Sequence, residues 1–437
     1  MDPLTIGYLG FAALIMMVMM GVHIAFATGV VGFLGIVALK GWTVAANISG
    51  IIPHSTGSNY LFSVLPMFIL IGFFAHASGM VQGAYRAARA WIGWMPGGLA
   101  ISTVLAAGGF GAVSGASQAT AAVFARVAIP ELLKLKYNPT ISAAAVAASG
   151  TLASLIPPSA ALVVYGAIVD QSIGRLLLAG FVPGIFSALL YAGFILLRFS
   201  ISPDLGRPIK GITWAERGRS IPGVLPIVLV MVMILGGMST GWMTPTEAGA
   251  VGASIVFVYA LMRRSITFKG LNTSLVETAN LTVMLFSTFW GVFIFSRFLA
   301  FTRLPTEIAE WLVALPYSPT TILVAILLGY AFLGMFLSAS GMMLLTLPVI
   351  FPAVVELGID PIVFGILVIK MVEIGLITPP VGLNVYVVAS IRTDIPIGGI
   401  FKAIWPFVLI DVLTVALLIL FPAITTFLPN LVLGESL

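Results

Sequence analysis

The chain has no cysteine, which excludes a disulfide framework, a thiol nucleophile and a thiolate metal site. Charge is scarce as well: Asp, Glu, Lys and Arg together make up 8% of 437 residues, far below the share in a water-soluble domain. The three histidines, His23, His54 and His76, have no metal-ligand spacing. HExxH, GxSxG and a glycine-rich phosphate loop after a strand are all missing, so the common hydrolase and nucleotide-binding signatures are excluded. The net charge of +5 comes from short loops and not from a basic face, so it does not point to nucleic acid. What the chain has instead is 60% hydrophobic residues, the composition of an all-α polytopic membrane protein. Asp2 leads directly into an apolar stretch without the charged start of a cleaved signal, and that stretch is read as membrane-embedded.

Apolar runs predict spans at residues 4–20, 22–39, 61–80, 138–169 and 175–197, then at 221–238, 246–262, 276–299, 361–390 and 400–428. Residues 97–130 and 319–352 are too long for one span and carry small polar residues at their centres. They are expected to be re-entrant helical hairpins. Two spans hold paired prolines, Pro157-Pro158 and Pro379-Pro380, which remove helix hydrogen bonds and predict broken helices.

Moving 222 residues along the chain carries Pro130 onto Pro352, Pro139 onto Pro361, and Pro157-Pro158 onto Pro379-Pro380 without a gap. Each half then reads as three spans, an amphipathic connector (83–94; 306–315), a hairpin, a broken span and a closing span. The expected organisation is a first repeat at 1–200, a cytoplasmic linker at 201–219 and a second repeat at 220–437. An odd number of crossings per half turns the second repeat upside down, the plan of secondary transporters. Basic residues orient it. Arg198, Arg207, Lys210, Arg217 and Arg219, with Arg263, Arg264 and Lys269, place both loops in the cytoplasm. The first hairpin then opens inward beside Arg86, Arg89, Lys134 and Lys136, and the second opens outward; Lys40, Arg175 and Arg303 fall outside. Both termini come out periplasmic. Matched proline-kinked helices without a functional break are the simpler alternative.

The first hairpin tip reads Gly111-Ala112-Val113-Ser114-Gly115-Ala116-Ser117-Gln118-Ala119-Thr120, and the second Ser338-Ala339-Ser340-Gly341. Small residues let the backbone turn inside a membrane, and hydroxyls offer ligands without the cost of a buried charge. Each tip is expected to meet the break in its own half: Gly150-Thr151 leading to Pro157, and Glu373-Ile374-Gly375 leading to Thr378-Pro379. A hard cation such as sodium takes oxygen ligands of this kind. The alternative is that these small polar residues are helix-packing contacts. Gln118, Thr120, Ser159 and Asn384 are candidate substrate contacts, and helix ends aimed at the midplane favour an anion. Arg126 lies beyond the first tip. Lys370 and Glu373, three residues apart, are expected to neutralise each other, and Asp411, deep in the last span, to have a structural partner, with a proton- or ion-binding role as the alternative. Thr244-Pro245-Thr246-Glu247 reads as a capping box.

The tip at 114–117, the GTLASLIPPS run at 150–159, TPTEA at 244–248 and EIGLITPPVGLNVYV at 373–387 together resemble the DctM-like large membrane subunit of tripartite ATP-independent periplasmic (TRAP) transporters over nearly the whole chain. That resemblance implies an elevator-type ion-transporter fold in the bacterial inner membrane that imports an organic acid such as a dicarboxylate or sialic acid, coupled to two or more sodium ions and needing no organic cofactor. It implies two partners: a small four-helix membrane subunit, expected here as a separate chain, and a periplasmic substrate-binding protein. By position, the sodium-site regions fall on Ser114, Ser117, Gly150, Thr151 and Pro157, and on Ser338, Ser340, Gly341, Gly375, Thr378 and Pro379. Ser338 stands where many members carry an aspartate. A stand-alone sodium/dicarboxylate carrier or antiporter would share the hairpins and differ in needing no binding protein. An intramembrane enzyme would need a nucleophile with a base, or a metal cluster, which this sequence does not offer. A channel would not accumulate substrate.

Overall fold

The structure is a computed structural model and describes residues 2–434; Met1 and residues 435–437, whose side of the membrane was inferred from charge, lie outside that range. Among the described residues there are helices and no strands. The first half comprises α1 (Pro3–Met19), α2 (Ile24–Lys40), α3 (Trp42–Gly57), α4 (Val64–Ser78), α5 (Met80–Ile92), α6 (Gly98–Ser114), α7 (Ser117–Lys134), α8 (Pro139–Gly150), α9 (Ala160–Val169) and α10 (Ile173–Ile201). A short α11 (Trp214–Ser220) follows. Then come α12 (Leu225–Ser239), α13 (Pro245–Met262), α14 (Phe268–Thr302), α15 (Leu304–Val313), α16 (Pro319–Gly334), α17 (Ala339–Glu356), α18 (Pro361–Ile377), α19 (Leu383–Ile391), α20 (Ile397–Leu420) and α21 (Ala423–Leu433).

Local chemistry sets the helix starts. Asn138 precedes Pro139, and its side-chain oxygen accepts from the amides of Thr140 (3.1 Å) and Ile141 (3.2 Å). In the second half Asp360 precedes Pro361 and accepts from Ile362 (2.7 Å) and Val363 (3.1 Å). Both are N-caps followed by proline at the first helical position, where its missing N–H costs nothing. Thr244 and Glu247 form the expected capping box: Thr244 Oγ1 accepts from the Glu247 amide at 3.3 Å, and Glu247 Oε2 accepts from the Thr244 amide at 2.8 Å. The breaks fall at the proline pairs. After α8 the backbone tightens into a 3₁₀ turn at Thr151–Ser154, and α9 starts only after Pro158; α18 ends at Ile377, and α19 starts at Leu383 beyond the left-handed Gly382. Both proline pairs are joined by cis peptide bonds.

Shifted by 222 residues, α1, α2, α5, α6, α7, α8, α9 and α10 start within two residues of α12, α13, α15, α16, α17, α18, α19 and α20. α3 and α4 together map onto the single long α14. α1 to α4 pack with α12 to α14, with Phe62 stacked edge-on to Phe289 at 5.0 Å between ring centres. α6 to α10 pack with α16 to α21. The connectors α5 and α15 lie against α6 and α17, and α5 turns 70° away from α4.

Three boundaries differ from the sequence expectation. Residues 42–57 form α3, which carries Asn47, Ser49, His54, Ser55, Thr56 and the interior Pro53 and so has no clean apolar run. α14 starts at Phe268 and not near residue 276, because its first turns hold Lys269, Asn272, Thr273 and Glu277 behind a Thr267 cap (Oγ1 to the Gly270 amide, 3.1 Å). The last predicted span divides at Pro422, where a backbone donor is lost. α21 then packs on α10, and Arg175 donates to the Asn430 side chain at 2.9 Å and to the Gly434 carbonyl. By length and apolarity α10, α13, α14, α17 and α20 can each cross a bilayer.

Asn138→Ala and Asp360→Ala should each lower stability by about 1 kcal/mol, the usual value of an N-cap. Unfolding in detergent measures this, and unchanged midpoints in both variants would show that the prolines alone start these helices.

Candidate functional site

The broken helix of the second half, α18, carries two of the buried charges, and α20 carries the third. Lys370, Glu373 and Asp411 are each fully buried, and they are the only charged residues so placed among the described ones. Lys370 does not neutralise Glu373. Its Nζ donates to Asp411 Oδ1 on α20 at 2.5 Å, and Tyr191 on α10 donates to the other Asp411 oxygen at 2.6 Å. The ammonium also lies 5.6 Å from the Tyr191 ring centre, and the Tyr191 hydroxyl reaches Thr151 at 3.4 Å. The expectation of an i, i+3 pair fails because a partner on a neighbouring helix reaches the ammonium directly. Asp411 has the structural partner expected of it.

Glu373 faces the other way, toward the first half. Its Oε1 accepts from Ser117 at the first tip (2.8 Å) and from Ser154 in the first break (2.5 Å), and the two hydroxyls are 3.2 Å apart. Its Oε2 has no hydrogen-bond partner among the described residues. Asn384, fully buried just beyond the second break, likewise has both side-chain polar atoms without a partner. Unmatched buried polar atoms of this kind are uncommon, and each calls for a physical explanation such as an ordered water or an ion. The donors are hydroxyl, amide and carboxylate oxygens, a set suited to a hard monovalent cation.

Backbone contacts explain how Ser117 gets there. A Cβ on Gly150 would lie 2.8 Å from the Ser117 carbonyl oxygen, and one on Gly115 would lie 3.0 Å from the Pro158 carbonyl oxygen. The first tip therefore sits on the first break, as its small residues require. In the second half Gly375 meets Gly334, where a Cβ would come within 2.5 Å of backbone. The contacts of the second tip run elsewhere: Ser338 is exposed and accepts from the Gly341 amide at 3.4 Å, and Gly341 faces Ile24 of α2. Ser340 is half-buried, and Thr378 spends its hydroxyl on the Ile374 carbonyl at 2.6 Å. Pro157 is buried in the first break and Pro379 is half-buried in the second.

The four substrate candidates separate. Gln118 is exposed, Thr120 is buried against Ser114 (2.8 Å between hydroxyls), and Ser159 caps α9 while donating to the Ser154 carbonyl at 2.5 Å. Of the three that are buried, Asn384 alone has no hydrogen-bond partner among the described residues. Sequence reasoning missed Ser154, although it lies inside the GTLASLIPPS run, and placed Glu373 with the wrong partner.

Two cavities lie between the helix groups. One, of 320 Å³, is walled by α4, α6, α7 and α14 at the first tip and touches Ser114, Gly115, Ala160, His76 and Arg126. The other, of 530 Å³, is bounded by α3, α9, α14 and α17 and holds Asp170 and Arg297. Leu281 and Arg297 on α14 mark the two, about 24 Å apart along the helix axis.

These features define a polytopic helical membrane transporter, and the fold has solved counterparts. The YdaH transporter of Alcanivorax borkumensis superposes with a TM-score of 0.58 at 16% identity over 87% of each chain. MtrF of Neisseria gonorrhoeae gives 0.60 at 14% identity, covering 88% of this chain and 85% of that one. The family model for the DctM component of tripartite ATP-independent periplasmic transporters matches residues 11–424, and the chain belongs to that family. It is 35% identical to the C4-dicarboxylate TRAP transporter large permease protein DctM of Pseudomonas aeruginosa, covering 86% of this chain and 87% of the relative. The Vibrio cholerae protein of the same description is 32% identical over 98% of both chains. The sialic acid TRAP transporter large permease protein SiaM of Vibrio cholerae is 30% identical, over 86% and 88%.

Removing one member of the buried pair should be costly. Asp411→Asn is expected to destabilise by roughly 3–5 kcal/mol, whereas Lys370→Met combined with Asp411→Leu should recover most of the loss. Denaturant unfolding of the two variants in detergent checks this; equal losses would mean that the pair is not a closed unit.

Proposed function

We propose that the chain is the large transmembrane subunit of a sodium-coupled importer of an organic acid, delivered by a periplasmic binding protein and moved by an elevator displacement of one helix group past the other. The observation that carries this reading is the cluster of Ser117, Ser154 and Glu373, which joins the first tip, the first break and the second broken helix around an unmatched carboxylate oxygen. Sodium is co-substrate in this scheme. Bound there, it would offset the Glu373 charge and couple ion occupancy to contact between tip and break.

The 222-residue register of the helices supports an inverted repeat with the boundaries read from the sequence, 1–200 and 220–437 joined by the linker at 201–219. The seating of Gly115 and Ser117 on the first break supports a re-entrant first hairpin. α16 and α17 form its counterpart by register, although α17 is itself long enough to cross a bilayer. Two cavities at different heights between the same helix groups fit alternating access from the two sides of the inner membrane. A second cation site built from Ser338, Ser340, Gly341, Gly375, Thr378 and Pro379 would require the second tip to move toward its break. The partners this reading requires are a small four-helix membrane subunit and a periplasmic binding protein.

Uptake of labelled succinate, N-acetylneuraminate and other organic acids into proteoliposomes tests the reading, with and without a sodium gradient and a binding protein. Accumulation should require both, and Ser117→Ala should raise the sodium needed for half-maximal uptake about tenfold, the value of one hydrogen bond to a charged group. Sodium-driven uptake without a binding protein would make the chain a stand-alone carrier; uptake indifferent to sodium would remove the coupling.

A further inference from the structure

The three fully buried charges comprise one cation, Lys370, and two acids, Glu373 and Asp411, which leaves one negative charge over. Which acid keeps it depends on where the lysine goes. Lys370 and Glu373 are three residues apart on α18, so their side chains are neighbours on the helix surface, and a lysine ammonium ends a long flexible stem. The ammonium nevertheless sits on Asp411 Oδ1 at 2.5 Å, while Tyr191 fills Oδ2 from 2.6 Å. Tyr191 is itself held in place. Its ring meets Phe407 of α20 edge-on, 5.4 Å between centres. On the same face of α10, Gly180 is pressed against the Leu155 carbonyl, and a Cβ on Gly184 would lie 2.5 Å from the Ile156 side chain. The uncompensated charge therefore falls on Glu373, with its two serine donors and its open Oε2. The other charged residues on helices packed against α18 are Arg175, Arg198, Glu356 and Lys402, each within two turns of a helix end and none fully buried. Among the described residues, Lys370 is the one fully buried cation.

We propose that Asp411 is a positioning residue for ion coupling: by holding Lys370 off Glu373, it reserves that carboxylate for a cation from outside the protein. The inference rests on the reading of Ser117, Ser154 and Glu373 as the sodium site, and adds what keeps the protein's own cation out of it. With the Asp411 charge removed, the buried ammonium has one acid left beside it, Glu373. Pairing there would draw the carboxylate away from Ser117 and Ser154, so stability is still lost while sodium gains a competitor tethered to the same helix. An ammonium that occupies Glu373 about nine-tenths of the time raises the apparent sodium constant about tenfold. Removing Lys370 acts in the opposite direction, because it leaves both acids and no competitor.

The test measures the sodium requirement in two ways at constant ionic strength: sodium for half-maximal uptake into proteoliposomes, and sodium for half of the ion-dependent rise in unfolding temperature in detergent. Asp411→Asn should raise both by about tenfold or more. Lys370→Met should also lose stability, yet need no more sodium than the unaltered protein. Lys370→Met with Asp411→Leu, which removes competitor and guard together, should return to within about threefold of the unaltered protein. A requirement that rises alike in both single variants and stays high in the double would mean that the pair only supports the surrounding fold, and overturns the proposal; so does an unchanged requirement in Asp411→Asn. Should Asp411→Asn fail to fold, the other two decide, since a raised requirement in Lys370→Met contradicts competition by the lysine and an unraised one in both supports it. If Ser117→Ala raises the requirement and Asp411→Asn does not, the sodium site stands while this inference falls. Absence of any sodium effect on the unaltered protein in both measurements removes both.

Discussion

A charge withdrawn from water has to be matched, and the packing of α18 against its neighbours follows from how Lys370, Glu373 and Asp411 meet that demand. Lys370 and Asp411 match each other, with Tyr191 taking the remaining carboxylate oxygen. Glu373 makes no ion pair among the described residues and leans on two serine hydroxyls from the other half of the chain. Those hydroxyls are available only because α8 breaks at Thr151–Ser154 and because glycines let the first tip settle onto the break. One unmatched carboxylate thus ties together a hairpin, a break and a broken helix lying 256 residues apart in sequence. Replacing any of them by a plain apolar span would leave the carboxylate without its donors.

Much of this was legible in the sequence for a simple reason: prolines, glycines and capping residues act on the backbone locally. The proline pairs place the breaks, Asn138-Pro139 and Asp360-Pro361 start the helices after the hairpins, and the 222-residue shift carries one set onto the other. The family motifs pointed to the same regions. What the sequence hid depends on contacts between distant elements. Lys370 and Glu373 sit at a spacing that suggests a pair, yet each finds its partner on another helix, a fact that no spacing rule contains. Ser154 looked like one more small polar residue until its hydroxyl proved to face Glu373. α3 was missed because the face it turns away from the core is polar enough to blur the apolar pattern.

The two helix groups also differ in build. α14 runs 35 residues without a break and lies along α2, with Phe295 and Phe298 buried between them, which suits a fixed wall. The broken helices, tips and cavity-facing Arg126 belong to the other group. Both cavities open where the groups face each other, so sliding one group along the other would enlarge one space at the expense of the other. In the proposed cycle the substrate and the coupling ion travel with the group that carries the tips.

Because the chain has no native cysteine, that relative movement can be tested directly. Ala119 on α7 and Leu281 on α14 line the same cavity from opposite groups. Ala119→Cys and Leu281→Cys, introduced together and joined by a cleavable cross-linker, should stop uptake into proteoliposomes and restore it when the linker is cut, with each single variant transporting in the presence of the same reagent. Cross-linked protein that continues to transport at its original rate would contradict the sliding of one helix group past the other.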